Sequence, residues 1–223
     1  MEKIVFFVAL GFGALHLILK HIPVKIHKRI LEEVKSLFQT LLIVSAIMYF
    51  ILQAFKIPSG SMMDTFLIKD HLFACKFIYG WYIPVAGKYI KFSTPKRGDV
   101  VIFKYPLNTK KDFIKRCIGL PGETIEIKDK KIFIDGNALK EPYTVFRGGP
   151  ALPKGLSVRD NFGPIKIPED SFFVMGDNRD YSMDSRFWGC LERKYLRGKA
   201  LFKYWPPKRI GICRHVRPEF VVQ

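Results

Sequence analysis

The chain has 223 residues, 48% of them hydrophobic, which is enough for a folded domain with its own core and excludes a wholly disordered basic tail. Its four Cys residues are too few for a small disulfide scaffold, and none are spaced as in a zinc knuckle. The 37 Lys and Arg against 20 Asp and Glu give a formal net charge of +17, typical of proteins that meet nucleic acid or an anionic membrane.

Two uncharged apolar runs lie near the N terminus, at residues 4–19 and 37–55. At about 1.5 Å per residue, a helix over the second run nearly crosses a bilayer core of about 30 Å. We expect a transmembrane helix over residues 37–56. We expect a retained first span within residues 1–36, because no small-residue cleavage site follows the first run.

The segment between the two runs is rich in Lys and Arg, so the positive-inside rule places it in the cytoplasm. Residues 57–223 then form an extracytoplasmic domain. This domain is basic and should lie close to the anionic lipid bilayer. Nucleic acid is not an expected partner, because this compartment holds little of it and no zinc finger, RNP-like or helix-turn-helix signature is present.

The sequence of the extracytoplasmic domain predicts β-structure. Short runs of β-branched and aromatic residues stand between Gly, Pro and Asp turn signals, and no long amphipathic helix is indicated. We therefore expect a mainly β fold with antiparallel sheets, and a long surface loop over the Gly- and Pro-rich residues 147–164. The predicted strands are residues 100–103, 124–128, 131–135 and 171–175.

A first candidate for chemistry follows the second run, where Ser59 and Ser61 flank Gly60. One interpretation is a polar linker that ends a helix. The other is a nucleophile at Ser61, with Gly60 letting the backbone approach a substrate carbonyl. A serine hydroxyl needs a base, and neither His71 nor His215 has a recognisable triad setting.

A second candidate is Lys115, which lies among Phe113, Ile114 and Ile118. An ordinary solvated lysine on an exposed face is one interpretation. A strand that buries Lys115 would instead lower its pKa by roughly 3–5 pH units and make the free amine available. A lysine of this kind can serve as the base of a serine nucleophile.

The third candidate is residues 175–189, a segment dense in Gly, Asp, Asn and Ser that is typical of a turn network. Its paired Asp and Arg residues also raise the possibility of a phosphate or metal site. No His or Cys complements the carboxylates at metal spacing, and Arg179 and Arg186 oppose cation binding. We therefore expect no metal.

These three segments, with Gly98-Asp99-Val100 between them and an apolar run before them, together resemble the bacterial type I signal peptidases, or leader peptidases. Each segment alone is weakly specific, whereas all of them in this order are highly specific. The resemblance implies a β-rich Ser/Lys peptidase without cofactor in the bacterial cytoplasmic (inner) membrane, with its catalytic domain outside. It also implies a monomer that cuts signal peptides after small residues at the first and third positions before the scissile bond.

The resemblance further implies a role for each matched residue. Ser61 would be the nucleophile and Lys115 the general base. Ser59 and the backbone N–H of Ser61 would form the oxyanion hole, and Ser182 would orient the Lys115 amine. The residues expected to support the site by ion pairing are Asp177, Asp184, Arg116 and Arg186. The residues expected to bind the substrate as an added strand are Ile57, Pro58, Met62, Phe113 and Ile114.

Two positions depart from the family pattern. Asp64 and Phe66 stand where the family usually has Pro and Leu, which puts the local loop and the rim of the substrate groove in question. The four cysteines, Cys75, Cys117, Cys190 and Cys213, leave disulfides and free thiols equally open.

The sequence leaves two alternative functions open. One is a specialised Ser/Lys peptidase that processes a single pilin-like or conjugation-system precursor. The other is a non-catalytic, basic, membrane-anchored binding module.

Overall fold

The computed structural model describes residue 14, residues 28–83 and residues 88–221. These residues form two compact units, divided between Gln53 and Ala54. The predicted first span and the basic segment up to residue 27 lie outside the described residues, apart from residue 14.

The first unit contains helix α1, Lys28–Phe50. The helix was expected to reach residue 56, but strand β1, Leu52–Lys56, occupies the last part of that range. This corrects the predicted helix end, and the physical reason is that β1 pairs with another strand while Phe55 packs against a hydrophobic core cluster. Among the helices of residues 28–83 and 88–221, none has both the length and the apolarity needed to cross a membrane.

The second unit is built from β-strands, with one short helix, α2, Ser185–Trp188, and several 3-10 turns. Turn signals separate short apolar segments along this part of the chain, as the sequence predicts. The strands are β1 Leu52–Lys56, β2 His71–Cys75, β3 Gly80–Ile83, β4 Lys88–Lys91, β5 Val100–Tyr105, β6 Asn108–Gly119, β7 Thr124–Lys128, β8 Lys131–Ile134, β9 Asn137–Lys140, β10 Phe162–Lys166, β11 Ser171–Met175, β12 Leu191–Glu192, β13 Leu196–Trp205, β14 Gly211–Ile212 and β15 Glu219–Phe220.

The pairing of these strands is antiparallel, which confirms the mainly β fold with antiparallel sheets. The largest sheet has eight strands in the order β1-β2-β13-β5-β6-β11-β12, with β14 beside β13. A five-stranded sheet follows the order β10-β7-β8-β9-β15, and β3 pairs with β4. The predicted strands at 124–128 and 171–175 appear with those bounds as β7 and β11.

The predicted loop over residues 147–164 is shorter than expected, because β10 begins at Phe162. Phe162 lies opposite Ile127 of β7, and its ring packs 5.3 Å from that of Phe173. Burial of these apolar side chains stabilises a strand where Gly and Pro alone predict a loop. Within the loop, Asp160 is buried and accepts hydrogen bonds from Leu152 and Arg159.

The segment after β1 carries Ser61 across the eight-stranded sheet to β6. Lys115 lies in β6, four strand positions from β1, which in a flat sheet is a separation of roughly 19 Å. Ser61 follows the end of β1 by a stretch that spans at most about 17 Å when fully extended. One hydrophobic cluster contains Met62, Phe66 and Ile114, and this packing holds the serine segment against β6.

Candidate active site

The structure brings Ser61 and Lys115 together. Lys115 Nζ lies 2.6 Å from Ser61 Oγ, within hydrogen-bonding distance. Ser61 stands in the 3-10 turn Gly60–Met62, and Lys115 lies in β6 opposite Val101 of β5. Both side chains are buried, and Lys115 is only 3% exposed. An amine and an alcohol at this distance, shielded from water, can exchange a proton.

The burial of Lys115 changes its acid–base chemistry. An ammonium group loses hydration in this position, which lowers the pKa of Lys115 from its ordinary value of 10.5 to about 8. The carboxylates of Asp184 and Asp177 oppose this change, while the positive charge of Arg186 reinforces it. About half of the molecules therefore carry the free amine near pH 8.

Two possible donors lie beside the Ser61 hydroxyl. Ser59 is exposed, and its Oγ lies 3.5 Å from Ser61 Oγ. The backbone N–H of Ser61 belongs to the first turn of a 3-10 helix, where donors lack a partner within the helix. Both groups are therefore near the atom that would attack a carbonyl.

Arg116 and Asp177, two of the residues expected to support the site by ion pairing, form a buried pair with each other. Arg116 Nε donates to Asp177 Oδ1 at 2.8 Å and Nη2 donates to Oδ2 at 2.7 Å, a bidentate geometry. Thr65 Oγ1 also donates to Asp177 Oδ2, at 2.6 Å. The guanidinium lies 3.9 Å from the ring centroid of Tyr143. Because Thr65 follows the serine turn, this network joins that turn to β6.

Asp184 and Arg186 form a second buried bidentate pair. Arg186 Nε and Nη2 donate to the two carboxylate oxygens of Asp184, each at 2.8 Å. Asp184 also caps α2 and accepts a hydrogen bond from Gly176 N at 3.1 Å. Burial alone would raise the pKa of Asp184, but the hydrogen bonds and charge of Arg186 outweigh it and the pKa lies below its usual value. Asp184 is therefore a fixed negative charge near Lys115.

The expected hydrogen bond from Ser182 to Lys115 is absent from the structure. Ser182 Oγ is buried and makes no hydrogen bond of good geometry among the described residues. Its hydroxyl packs against Gly176, where an added Cβ would lie 2.3 Å from Ser182 Oγ, and it contributes to the low pKa of Asp184. The short turn Arg179–Tyr181 thus directs Ser182 towards Gly176 and Asp184.

Three of the residues expected to bind the substrate have their side chains in the hydrophobic core. Ile57 is 2% exposed and Met62 is 0% exposed, and Ile114, at 9%, shares their core cluster. Apolar side chains stabilise the fold more by packing together than by facing solvent, so these three residues support the site from the core. Phe113 is partly buried against a different core cluster, and Pro58 is exposed.

The two departures from the family pattern have different surroundings. Asp64 is exposed, has a φ of 73°, and forms a 3.0 Å ion pair with Arg147. An aspartate tolerates this left-handed conformation better than most residues, whereas a proline cannot adopt it. Phe66 is fully buried in the same core cluster as Met62. The loop after Ser61 therefore has a backbone conformation that the family's usual proline could not adopt, and it buries a phenylalanine ring where the family usually has leucine.

The cysteines form no disulfides, and His215 contacts two backbone groups. All four cysteines are free thiols, with Cys117 and Cys213 buried. Val100 N lies 3.0 Å from His215 Nδ1, and His215 Nε2 lies 2.7 Å from the Ala200 carbonyl oxygen. In the neutral tautomer that suits both contacts, Nδ1 accepts and Nε2 donates. No group of His, Cys, Asp and Glu suited to a metal ion occurs in the described part of the chain.

Sequence reasoning missed two residues beside Asp177. Asn178 Nδ2 donates to the Gly60 carbonyl at 3.0 Å, and Asn178 N donates to the Ser61 carbonyl at 3.1 Å. Arg179 forms a buried bidentate pair with Glu141, with both distances 2.7 Å. The dense polar composition of residues 175–189 was the available signal, but a turn network accounted for it equally well.

A comparison with protein families decides which family the chain belongs to. The profile of the family described as signal peptidase, peptidase S26, matches residues 30–205. The chain belongs to this family. This confirms the resemblance drawn from the sequence motifs and the expectation that the chain is a peptidase.

Two relatives of known name agree with this assignment. A signal peptidase I of Leptolyngbya laminosa is 34% identical, with 82% of this chain and 83% of the relative covered. A signal peptidase I P of Bacillus subtilis subsp. natto is 35% identical, with 79% of this chain and 89% of the relative covered. A solved signal peptidase I from Enterococcus faecalis is 31% identical over 49% of this chain and 98% of its own, with a TM-score of 0.40.

Proposed function

We propose that this member of the signal peptidase family is a membrane-bound serine endopeptidase that removes signal peptides from exported preproteins. The observation that carries the proposal is the buried contact of 2.6 Å between Lys115 Nζ and Ser61 Oγ. Both groups come from one chain, so the site needs no second copy and a monomer suffices. The pair also needs no metal or cofactor for acyl transfer.

In the proposed reaction, the neutral amine of Lys115 accepts the proton of the Ser61 hydroxyl as its oxygen attacks the scissile carbonyl. The protonated amine then gives that proton to the leaving nitrogen, and the peptide bond breaks to leave an acyl-enzyme. The same amine, neutral again, takes a proton from water. The resulting attack releases the acyl group and returns the proton to Ser61.

The tetrahedral intermediates carry a negative oxygen that needs donors. We assign this role to the Ser61 N–H and the Ser59 hydroxyl, which lie beside the attacking oxygen. Removing one such donor costs other enzymes roughly 10²–10³ in kcat. Ser59 is exposed, so its hydroxyl is free to turn towards a bound substrate.

The substrate would bind as an added strand along β6. Residues Phe113–Lys115 pair with β5 on one side, whereas β11 pairs with β6 only from Arg116 onward. No described strand therefore uses the other edge of Phe113–Lys115, which leaves backbone donors and acceptors for a peptide. Alternate residues of such a peptide face the same side. The first and third residues before the cut would thus share one surface, which fits a preference for small side chains at both.

The sequence supports membrane attachment through the apolar runs 4–19 and 37–55. The basic segment between these runs supports the multi-pass topology and the extracytoplasmic position of the catalytic unit. Several apolar side chains of α1 are exposed, among them Leu42 and Ile43. The hydroxyls of Thr40 and Ser45 donate to carbonyls within the helix, at 3.0 Å and 2.6 Å. Both hydroxyls are thus satisfied within the helix, as an apolar environment requires.

The test is incubation of the purified full chain, in detergent, with a synthetic signal peptide, followed by mass spectrometry of the products. We expect one cut after a small residue that has another small residue two positions before it. Peptides with a large residue at either position should stay intact. The Ser61→Ala variant is the matched control, and equal cleavage by this variant would exclude the proposed nucleophile.

A further inference from the structure

The side chain and backbone of Asn178 together bind the two carbonyl groups that flank the nucleophile. Its Nδ2 donates to Gly60 O at 3.0 Å, and its backbone N donates to Ser61 O at 3.1 Å. Asn178 is 3% exposed, so water does not compete for these contacts. This residue therefore orients two successive peptide groups of the serine turn.

The first of these peptide groups contains the proposed oxyanion donor. Gly60 C=O and Ser61 N–H belong to one planar trans peptide, so they point in opposite directions. Gly60 O accepts from Asn178 Nδ2 and also from Met63 N, at 3.1 Å. Two donors on this oxygen fix the plane of the peptide and polarise it, which makes the Ser61 N–H a better donor. Fixing the carbonyl therefore also fixes the direction of the N–H.

Asn178 is itself held on both sides. Val145 N donates to Asp177 O at 2.8 Å, and Arg179 N donates to Val145 O at 3.0 Å. The side chains of Asp177 and Arg179 are each bound in a buried bidentate ion pair. The backbone of Asn178 thus has little freedom, which keeps its side-chain Nδ2 beside Gly60 O.

We infer that Asn178 is a positioning residue, whose amide aims the Ser61 N–H at the oxyanion of the tetrahedral intermediate. It contacts neither the substrate nor the reacting atoms, and it acts through the Gly60 peptide. The inference rests on the proposed function and deepens it.

The test compares the full-length Asn178→Ala chain with Asn161→Ala. Asn161 is a matched control because its Nδ2 also donates to a backbone carbonyl, that of Leu152 at 2.9 Å, in the loop before β10. We expect Asn178→Ala to lower kcat roughly 10- to 100-fold with KM changed less than about 3-fold, since the donor is misaligned rather than deleted. The control should keep wild-type kcat.

Two further measurements separate this role from a merely structural one. The affinity of a peptide aldehyde, whose hemiacetal oxygen needs the oxyanion donor, should fall by the same factor as kcat. The affinity of an intact substrate, measured in the Ser61→Ala background, should stay the same. The pH at which kcat reaches half its maximum should not move, because Lys115 is untouched.

Wild-type kcat in Asn178→Ala would overturn the inference, as would equal losses of aldehyde and substrate affinity. If Asn178→Ala does not fold, the same measurements apply to Asn178→Ser, which keeps a smaller hydroxyl donor. Failure of the proposed function looks different. In that case the wild-type chain would not cleave the peptide, or Ser61→Ala would cleave it normally.

Discussion

Lys115 and Arg116 are adjacent in β6, yet only Arg116 forms an ion pair with a carboxylate. Arg116 is bound by the Asp177 carboxylate in a buried bidentate pair, whereas Lys115 has no ion pair among the described residues and contacts the Ser61 hydroxyl. Side chains alternate across a strand, so neighbours in sequence face different surroundings. Arg116 therefore has a structural partner for its charge, whereas Lys115 loses its proton more readily than an ordinary lysine.

The first prediction concerns the pair itself. Ser61→Ala removes the attacking oxygen, and Lys115→Met replaces the amine with a side chain of similar length that cannot accept a proton. Each change should reduce peptide cleavage by at least about 10³-fold, because the remaining donors still act but no nucleophile is generated. Quantitative mass spectrometry of product formation measures this. Retention of activity in either variant would contradict the dyad.

The second prediction is the pH dependence of kcat. Only the neutral amine can act as base, and the pKa of Lys115 is lowered to about 8. The rate should rise about tenfold per pH unit below this value and level off above it, up to the pH where the fold is lost. A stopped assay from pH 6 to 10 measures the curve. A flat profile over that range would mean that another group is the base.

The third prediction is that Lys115→Met stabilises the protein at neutral pH. The pKa of Lys115 falls from 10.5 to about 8 on folding, so the unfolded chain binds the proton more tightly. This corresponds to a destabilisation of about 3 kcal/mol, fully present below pH 8 and relieved as the pH rises towards 10.5. Thermal unfolding should show a higher Tm for Lys115→Met at pH 7. The difference should shrink at pH 10, and a lower Tm at pH 7 would contradict the burial argument.

The fourth prediction separates the structural and electrostatic effects of Asp177. Asp177→Asn leaves the buried guanidinium of Arg116 without a counter-charge, which should lower the free energy of unfolding by about 3–5 kcal/mol in urea titrations. The Asp177 charge also raises the pKa of Lys115. Its loss should therefore move the midpoint of the pH–rate curve below that of the wild type. Glu219→Gln, at an exposed position far along the chain, should change neither quantity.

The fifth prediction concerns the close approach of Gly176 to the serine turn. A Cβ at this position would lie 2.4 Å from Ser61 O and 2.3 Å from Ser182 Oγ, so the nucleophile backbone would have to shift. Gly176→Ala should reduce kcat by about 10²-fold, because small misplacements of reacting groups have large effects. Gly211→Ala is the control, since nothing lies within 4 Å of its added Cβ. Equal activity of the two variants would show that the turn tolerates the displacement.

Much of the fold and site could be predicted from local sequence. The alternating Thr124–Lys128 and the apolar Ser171–Met175 form strands with those bounds, because each pattern matches a strand buried on one or both faces. The motifs around Ser61 and Lys115 predicted that these two residues act together, and the structure brings them into contact. The strand at Leu52–Lys56 was not predictable, because its apolar residues suit a helix equally well.

The sequence by itself determined the family and the β-rich architecture, and it singled out Ser61 and Lys115 as the proposed reactive pair, since these depend on residue types and their order. Only the tertiary structure decided that Met62 and Ile57 lie in the core beside the site and that Ser182 makes no hydrogen bond to Lys115. It alone revealed that Asn178 holds the Gly60 peptide. Burial and hydrogen-bond direction depend on which segments meet in the folded chain, such as Asn178 and Gly60, which are 118 positions apart, and local sequence patterns carry no record of such contacts.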